Sequence, residues 1–376
     1  MVTTELLDPR SCSVSIPCSP FLAHRSGEAT HSEVRVTYLQ LSDRGRTSTV
    51  HSRIIGGRSI RRLVVALTTG ALALTVAACG SDDTAPAAGP AVTIEHTLGS
   101  TTITGVPQRI VTLGSQWLDA TESLGVTPVG YIDNVALTTG GTPAPWEPAA
   151  LADSKQIDAK GDIVEQVAAL RPDLILAPGF ATDRQTYDQL SKLAPTIPNL
   201  GTEQVEPWDE EVEIMGRILH REDRAKQVVA DVNGEIDALA QQNPGLKGKT
   251  FVTSFLASPT QLMVLADPKD GASALFERLG MQLPAHLVAE VGSAGRTALS
   301  PERLGDLDSD LLVITSPANL TDSIAQLPGY DELPAVRKGA VAKVDLATGT
   351  GINVPTPLSI PYVLDKLTPA LVNAAK

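Results

Sequence analysis

The sequence predicts an α/β protein made of two related lobes that one long helix joins. Three observations support this prediction. From residue 92 onward short apolar runs alternate with segments of helical periodicity, one motif recurs in each half of that region, and an amphipathic helix lies between the halves. Strands that alternate with helices are typical of βαβ units, which build largely parallel sheets.

The individual elements follow from the period of the apolar residues and from the turn residues that flank them. The predicted strands are residues 109–114, 128–132, 173–177, 250–256, 261–266, 310–315 and 340–346. The predicted helices are residues 117–124, 163–170, 183–193, 209–219, 272–279, 301–307 and 359–374. Most predicted strands are followed by a helix, which is the connection that parallel strands require.

An internal repeat relates the two halves. Residues 165–176 read EQVAALRPDLIL and residues 302–313 read ERLGDLDSDLLV, so that Glu, Leu, Asp and a run of aliphatic residues recur in register. A shorter pair, ESLGV at 122–126 and ERLGM at 277–281, occurs in the same order. Each pair spans the end of a predicted helix and the turn into a strand. Two matches in the same order indicate two pseudo-repeated lobes.

The helix between the halves is predicted from Val228, Val232, Ile236 and Leu239, which recur at spacings of three and four residues. Asn243, Pro244 and Gly245 follow it and end the helical pattern. A helix of this length spans about 30 Å and is stiffer than a Gly/Ser linker. We therefore predict an N-terminal lobe at residues 92–220, a rigid connecting helix at 221–243 and a C-terminal lobe at 244–376.

The charge distribution and the cysteines exclude several functions. Residues 1–78 carry nine Lys and Arg against five Asp and Glu, whereas the rest carries 21 against 38. A net charge of −17 argues against nucleic acid as a partner, because binding to nucleic acid needs basic patches. The three cysteines are Cys12, Cys18 and Cys79, so the chain beyond residue 79 cannot form disulfides, thiol nucleophiles or cysteine metal sites.

The N-terminal segment has the features of a secretory signal. Arginines at positions 53, 58, 61 and 62 precede an uncharged apolar run at 63–78, which at 16 residues is shorter than a membrane span. Small residues then precede Cys79, an arrangement that resembles a bacterial lipobox and implies a lipidated N-terminal cysteine. Because a signal should begin the chain, we interpret residues 1–78 as an over-called start plus a signal peptide. Residues 79–91, rich in small residues, Pro and Gly, are the expected tether.

The folded region resembles the iron-siderophore and vitamin-B12 family of ABC-transporter substrate-binding lipoproteins, the helical-backbone binding proteins. The stretches that carry the resemblance are residues 94–99, 101–113, 119–130, 165–176, 210–228 and 299–310. The resemblance implies two Rossmann-like lobes with a ligand cleft between them. It implies a monomeric binding protein with no catalytic residues and no cofactor, held on the outer face of the cell membrane. Its ligand would be a ferric siderophore, which it delivers to the permease of an ABC importer.

The resemblance also assigns residues. Glu165 and Glu302 match the family's paired glutamates, which dock on the permease. Candidates for ligand binding are bulky or polar residues in loops after strands, where ligands sit in open parallel sheets. They are Trp117, Tyr131, Trp146, Phe180, Arg184, Arg296 and Asn353. The acidic balance favours a neutral or cationic chelate of hydroxamate or mixed type over a triply anionic catecholate.

Other functions stay open as alternatives. Haem or cobalamin could occupy the same fold, and Tyr131 could serve as an axial ligand of haem. A divalent-metal receptor is disfavoured, because the three histidines beyond residue 79, at positions 96, 220 and 286, are scattered. A secreted hydrolase is a distant alternative, because the sequence contains no Gly-x-Ser-x-Gly motif.

Overall fold

The computed structural model describes residues 89–178, 183–258, 261–291 and 295–376. The described chain opens with an antiparallel pair of strands, β1 (Val92–His96) and β2 (Gly99–Ile103), in which Val92 pairs with Ile103. Within the described ranges no helix is both long and apolar enough to cross a membrane. The predicted signal peptide, Cys79 and most of the tether lie outside these ranges.

The N-terminal lobe contains a parallel sheet of five strands in the order β5-β4-β3-β6-β7. The strands are β3 (Ile110–Thr112), β4 (Gly130–Tyr131), β5 (Lys155–Gln156), β6 (Leu174–Leu176) and β7 (Thr196–Ile197). The central strands β3 and β6 are fully buried, as expected for a parallel sheet covered by helices. The helices are α1 (Ser115–Ser123), α2 (Asn134–Thr139), α3 (Ile163–Leu170), α4 (Arg184–Leu190) and α5 (Trp208–Ile218).

The C-terminal lobe contains a mixed five-stranded sheet in the order β10-β9-β8-β11-β12. The strands are β8 (Phe251–Ser258), β9 (Gln261–Leu265), β10 (Arg296–Leu299), β11 (Leu311–Thr315) and β12 (Val341–Val344). Strands β8, β11 and β12 are parallel, and β9 is antiparallel to both of its neighbours.

Helix α6 (Glu222–Gln242) joins the lobes as one continuous element of 21 residues. Its buried face consists of Ala225, Val228, Val232 and Ile236, which follow the predicted spacing. The remaining α-helices are α7 (Gly271–Arg278), α8 (Ala285–Val291), α9 (Pro334–Arg337), α10 (Leu346–Asn353) and α11 (Ser359–Ala374). The predicted fold class, two pseudo-repeated Rossmann-like α/β lobes joined by one long helix, is confirmed.

The repeated aspartates explain why the sequence motif recurs. Asp173 accepts hydrogen bonds from the backbone N–H groups of Gln108 and Arg109, both at 2.8 Å, just before β3. Asp310 accepts one from the N–H of Thr250, at 3.1 Å, just before β8. Each carboxylate thus pairs with backbone donors at the start of the neighbouring strand. In both halves, an aspartate carboxylate therefore accepts hydrogen bonds from backbone N–H groups at the start of a strand.

The shorter repeat is a shared helix ending. Gly125 after α1 and Gly280 after α7 have φ of 75° and 87°, the left-handed region that glycine adopts without strain. Val126 N–H donates to the carbonyl of Thr121, and Met281 N–H donates to that of Phe276. Both are the six-to-one bond of a Schellman ending.

Candidate ligand cleft

Helices α2 and α10 bring the carboxyl edges of the two sheets together. Helix α2 follows β4 in the N-terminal lobe, and α10 follows β12 in the C-terminal lobe. The two helices pack against each other, and the hydroxyl oxygens of Thr138 and Thr350 lie 3.0 Å apart. Ligands of open α/β sheets bind at such carboxyl edges. This contact therefore marks one wall of the candidate cleft.

Beside the contact lies a cavity of about 480 Å³ that both lobes line. Its N-terminal lining comes from Asn134 and Thr138. The C-terminal lobe contributes Phe255, Arg296, Thr315, Pro317, Leu346, Gly349, Thr350, Asn353 and Val354. A smaller cavity of about 210 Å³ shares Phe255, Arg296 and Asn353 with it. Apolar lining with a few polar groups is typical of small-molecule sites.

Arg296 and Asn353, both predicted from the sequence, lie together in this cleft. Arg296 Nη1 is 3.4 Å from Asn353 Oδ1. Arg296 Nη2 forms an ion pair with Asp270 Oδ2 at 3.0 Å. The Asp270 side chain is only 3% exposed and also accepts from the N–H of Ala272 at the start of α7. The positive charge of Arg296 is therefore matched by a carboxylate of the protein itself.

Three buried polar atoms of residues that line the two cavities have no hydrogen-bond partner among the described residues. They are Nε of Arg296, Oδ1 of Asn134 and Oγ1 of Thr253. A buried polar group without a hydrogen bond costs about 1–3 kcal/mol. A ligand that accepts from Arg296 and donates to Asn134 would remove that cost.

Helix α10 can approach the sheet because it has a glycine at position 349. A Cβ at position 349 would lie 2.1 Å from the side chain of Thr315, so only glycine fits there. Asn353 at the end of the helix donates to the carbonyl of Gly349 at 2.8 Å, which orients its amide. Asn353 was predicted to lie in a loop after a strand. The prediction was wrong because packing outweighs the low helix propensity of glycine and threonine.

Trp117 and Tyr131, both predicted as ligand contacts, are buried and line neither of the two cavities. Trp117 is 1% exposed and packs in the hydrophobic core, because α1 begins at Ser115 and turns its third residue inward. Tyr131 is 7% exposed and packs against Leu118 and Leu151. Burial, together with the nearby Glu147, raises the pKa of its phenol.

The other predicted contacts lie elsewhere. Trp146 is half-buried between the lobes, where its Nε1 donates to Asp119 Oδ2 at 2.9 Å, and it lines neither of the two cavities. Arg184 lies on the surface of α4, where it pairs with Asp188 at 3.0 Å with its side chain 66% exposed. Phe180 lies outside the described residues.

Sequence reasoning missed Phe255, Thr315 and Thr138. Phe255 and Thr315 line the cavity from the carboxyl halves of strands β8 and β11, whereas the predicted contacts were residues in loops. Thr138 belongs to α2, a helix of six residues that the apolar pattern does not reveal. The position of Phe255 and Thr315 in the carboxyl halves of predicted strands is the sequence signal that would have identified them.

Glu165 and Glu302 occupy equivalent places in the two lobes. Glu165 lies in the first turn of α3, whose start is capped by Asp162 Oδ1 at 2.9 Å. Glu302 lies in the first turn of the 3₁₀ helix Pro301–Leu307, whose start is capped by Ser300 Oγ at 3.4 Å. Both side chains are exposed, and neither lines the cavities. Each element runs back from the carboxyl edge of its sheet, so both glutamates lie at the edge that carries the cleft.

Acidic residues gather behind the N-terminal wall of the cleft. Burial raises the pKa of Asp119 to about 7, since hydrogen bonds from Thr356 and Trp146 offset only part of that effect. Burial, and then the charges of Asp119 and Glu147, raise the pKa of Glu122 to about 8. Burial also raises the pKa of Asp133 and of Glu147. At neutral pH part of this group is therefore uncharged.

This group predicts a pH-dependent stability. The pKa of Asp119 is higher in the folded chain than its ordinary value of 3.8, so its contribution to stability is complete below about 3.8 and is lost as pH rises through about 7. Asn at this position does not titrate. Between pH 4 and 8 the free energy of unfolding of Asp119→Asn should therefore rise relative to the wild type, by up to about 1.4 kcal/mol per pH unit. Urea unfolding at several pH values measures this difference, and a constant difference would contradict the assignment.

Comparisons with known proteins agree with this architecture. The model of a family of periplasmic binding proteins matches residues 110–346. The Fe(3+)-citrate-binding protein YfmC of Bacillus subtilis is 27% identical over 67% of this chain and 78% of its own length. The iron(3+)-hydroxamate-binding protein FhuD of the same organism is 24% identical over 73% of this chain and 84% of its own.

A solved structure supports the fold independently. Streptococcus pneumoniae PiaA in complex with ferrichrome superposes with a TM-score of 0.63 at 22% identity, over 76% of this chain and 98% of that one. The family match covers more than half of the sequence and includes both sheets. The chain therefore belongs to the periplasmic binding protein family of ABC importers, and it is a substrate-binding protein rather than an enzyme.

Proposed function

We propose that the chain is a monomeric lipoprotein on the outer face of the cell membrane that binds a ferric siderophore and delivers it to an ABC permease. The observation that carries the proposal is the cleft between α2 and α10. Its lining combines Phe255 and other apolar residues with hydrogen-bonding groups, and its one arginine, Arg296, is paired with Asp270. The relatives that bind ferric citrate and ferric hydroxamates support an iron chelate as the ligand.

The charges of the cleft favour a neutral chelate of the hydroxamate type. A ferric ion bound by three hydroxamates has no net charge, whereas three catecholates leave a charge of −3. Arg296 is paired with Asp270, and Arg184 is paired with Asp188, so neither guanidinium offers an uncompensated charge. Burying a trianion without matching cations is unfavourable. The cleft therefore suits a neutral ligand.

Titrations with three ferric complexes test this choice. We expect ferrichrome to bind more tightly than ferric citrate, and ferric citrate more tightly than a tris-catecholate, each measured by quenching of tryptophan fluorescence. Arg184→Gln is the matched control and should change none of the three affinities, because Arg184 lies outside the cavities. Tightest binding of the catecholate would contradict the charge argument.

Haem and cobalamin are the alternative ligands. Haem would need an axial Tyr or His, and among the described residues neither type lines the two cavities. We therefore propose the siderophore in preference to haem. A Soret band that appears when haemin is added would reverse this preference, and binding of cyanocobalamin in place of all three chelates would reverse it in favour of cobalamin.

Lipidation of Cys79 is the proposed means of attachment to the membrane. The 16 uncharged residues before it are a secretory signal, and the small residues at its cleavage point suit processing at the cysteine. We expect the wild-type protein to sediment with membranes and Cys79→Ala to be released into the soluble fraction. Thr84→Ala, in the predicted tether, is the matched control and should leave the distribution unchanged. Membrane retention of Cys79→Ala would count against the lipid anchor.

Glu165 and Glu302 are the proposed contacts with the permease. Both are exposed, they occupy equivalent positions in the two lobes, and neither lines the cavities. A pair of carboxylates on the edge that carries the cleft suits docking on cationic residues of a membrane partner.

A further inference from the structure

The indole of Trp146 connects the two lobes. In the N-terminal lobe its Nε1 donates to Asp119 Oδ2 on α1. In the C-terminal lobe it packs on the ring of Tyr362 on α11, with the ring centroids 5.4 Å apart and the planes inclined by 50°. Its outer edge lies against Gly351 of α10. One half-buried side chain thus contacts three helices from both lobes.

Asp119 receives a second donor from the opposite lobe. The hydroxyl of Thr356, in the segment before α11, donates to the same Oδ2 that accepts from Trp146. Asp119 is only 3% exposed, so water does not readily replace either donor. A buried carboxyl that loses a donor is left partly unsatisfied, which makes separation of the lobes at this point unfavourable.

The position of these contacts relates them to the width of the cleft. Gly351 directly follows Thr350, whose hydroxyl faces Thr138 across the wall of the cleft. Nearby, Gln116 Nε2 on α1 donates to the carbonyl of Pro355 at 3.3 Å. Helix α6 alone would leave the lobes free to bend about its ends. The contacts of Trp146 lie where such bending would open the cleft.

We propose that Trp146, Asp119 and Thr356 form a latch that fixes the spacing of the two lobes and the width of the cleft. Trp146 is a positioning residue in this arrangement and does not contact the ligand. The latch explains why a tryptophan in a loop of the N-terminal lobe is held by a buried acid and lines neither cavity.

Gly351 provides a specific way to open the latch. A Cβ at this position would lie 2.8 Å from Cη2 of Trp146 and 3.2 Å from the side chains of Ser359 and Val363. Gly351→Ala should therefore displace the indole. A phenylalanine has no atom that corresponds to Cη2, so in the Trp146→Phe background the same alanine should have little further effect.

The distance between the lobes in ligand-free protein tests the latch. Nitroxide labels on Gln189→Cys and Glu332→Cys, both exposed, report the distance by double electron–electron resonance, with the three native cysteines replaced by alanine. We expect one narrow distance in the wild type. Trp146→Phe and Gly351→Ala should each raise the population of a longer distance about tenfold, the effect of losing one buried hydrogen bond. The double variant should match Trp146→Phe.

Trp208→Phe is the control, because Trp208 packs in the hydrophobic core at the start of α5 and the substitution should not change the distance. An unchanged distance in folded Trp146→Phe and Gly351→Ala proteins would overturn the latch. The effect on ligand rests on the proposed function: ferrichrome should dissociate about tenfold faster from Trp146→Phe. Faster dissociation of ferrichrome from Trp146→Phe with an unchanged distance between the lobes would indicate that Trp146 contacts the ligand. That result would also overturn the latch. Absence of ferrichrome binding to the wild type would count against the proposed function alone.

Discussion

Replacing Glu165 and Glu302 together by alanine should abolish siderophore uptake by cells while the affinity for ferrichrome stays unchanged. The affinity is preserved because both side chains are exposed and line neither cavity. Uptake should be lost because, in the proposed docking surface, each lobe contributes one carboxylate that docking would bury against a cation of the permease. Truncating one partner of a buried, hydrogen-bonded charge pair costs about 2–5 kcal/mol. Two such losses would reduce docking by more than about a thousandfold. Uptake of radioactive iron as ferrichrome measures the effect.

A control must remove the same charge elsewhere. Glu235 on α6 and Glu332 in the C-terminal lobe are both exposed, and neither lies at the start of a repeated helix. Glu235→Ala with Glu332→Ala should leave uptake at the wild-type level. Full uptake by the Glu165 and Glu302 double variant would refute the docking assignment, and a parallel loss of affinity would place the glutamates in the ligand site instead.

The parts of the fold that could be predicted are those with strong local signals. Helices α3 and α11 have the predicted bounds, because apolar residues at helical spacing mark their buried faces. The edge strands β5 and β7 contain two residues each, which is too short for any periodicity. Helix α10 was missed because its sequence, with Gly349 and Gly351 among threonines, is typical of a loop. Its glycines serve close packing on Thr315 and on Trp146.

Only part of the candidate site could be predicted, because the position of a residue in the sequence does not determine the direction of its side chain. A position after a strand says that a residue lies near the carboxyl edge, but not which way its side chain points. Arg296 and Asn353 point into the cleft, whereas Trp117 turns into the core at the start of α1. Trp146 lies in a long loop, and only its partners Asp119 and Thr356, which come from distant parts of the sequence, determine its place.

Arg296→Met should lower both the free energy of unfolding and the affinity for ferrichrome. A second substitution, at the ion-pair partner Asp270, separates the two effects. Loss of the guanidinium leaves Asp270 buried without its counterion, which costs about 3–5 kcal/mol. Adding Asp270→Asn should recover most of this stability, because Asn removes the charge and can still accept from the N–H of Ala272 at the start of α7. Affinity for ferrichrome should stay low in the double variant, because the donor in the cleft is still missing. Recovery of affinity together with stability would show that Arg296 acts on the fold alone.

The single substitution Asp270→Asn tests whether Asp270 neutralises the positive charge of Arg296 in the cleft. It leaves the guanidinium of Arg296 in place but removes the carboxylate 3.0 Å from Nη2, so the cleft gains one uncompensated positive charge. Affinity for ferric citrate should then rise about tenfold or more, since a desolvated charge pair contributes at least about 1.5 kcal/mol. Affinity for neutral ferrichrome should change little. Isothermal titration calorimetry with both chelates measures the ratio of the affinity for ferric citrate to the affinity for ferrichrome. If the ratio does not shift toward citrate, Asp270 does not set the charge of the cleft, and the preference for a neutral chelate must come from its shape.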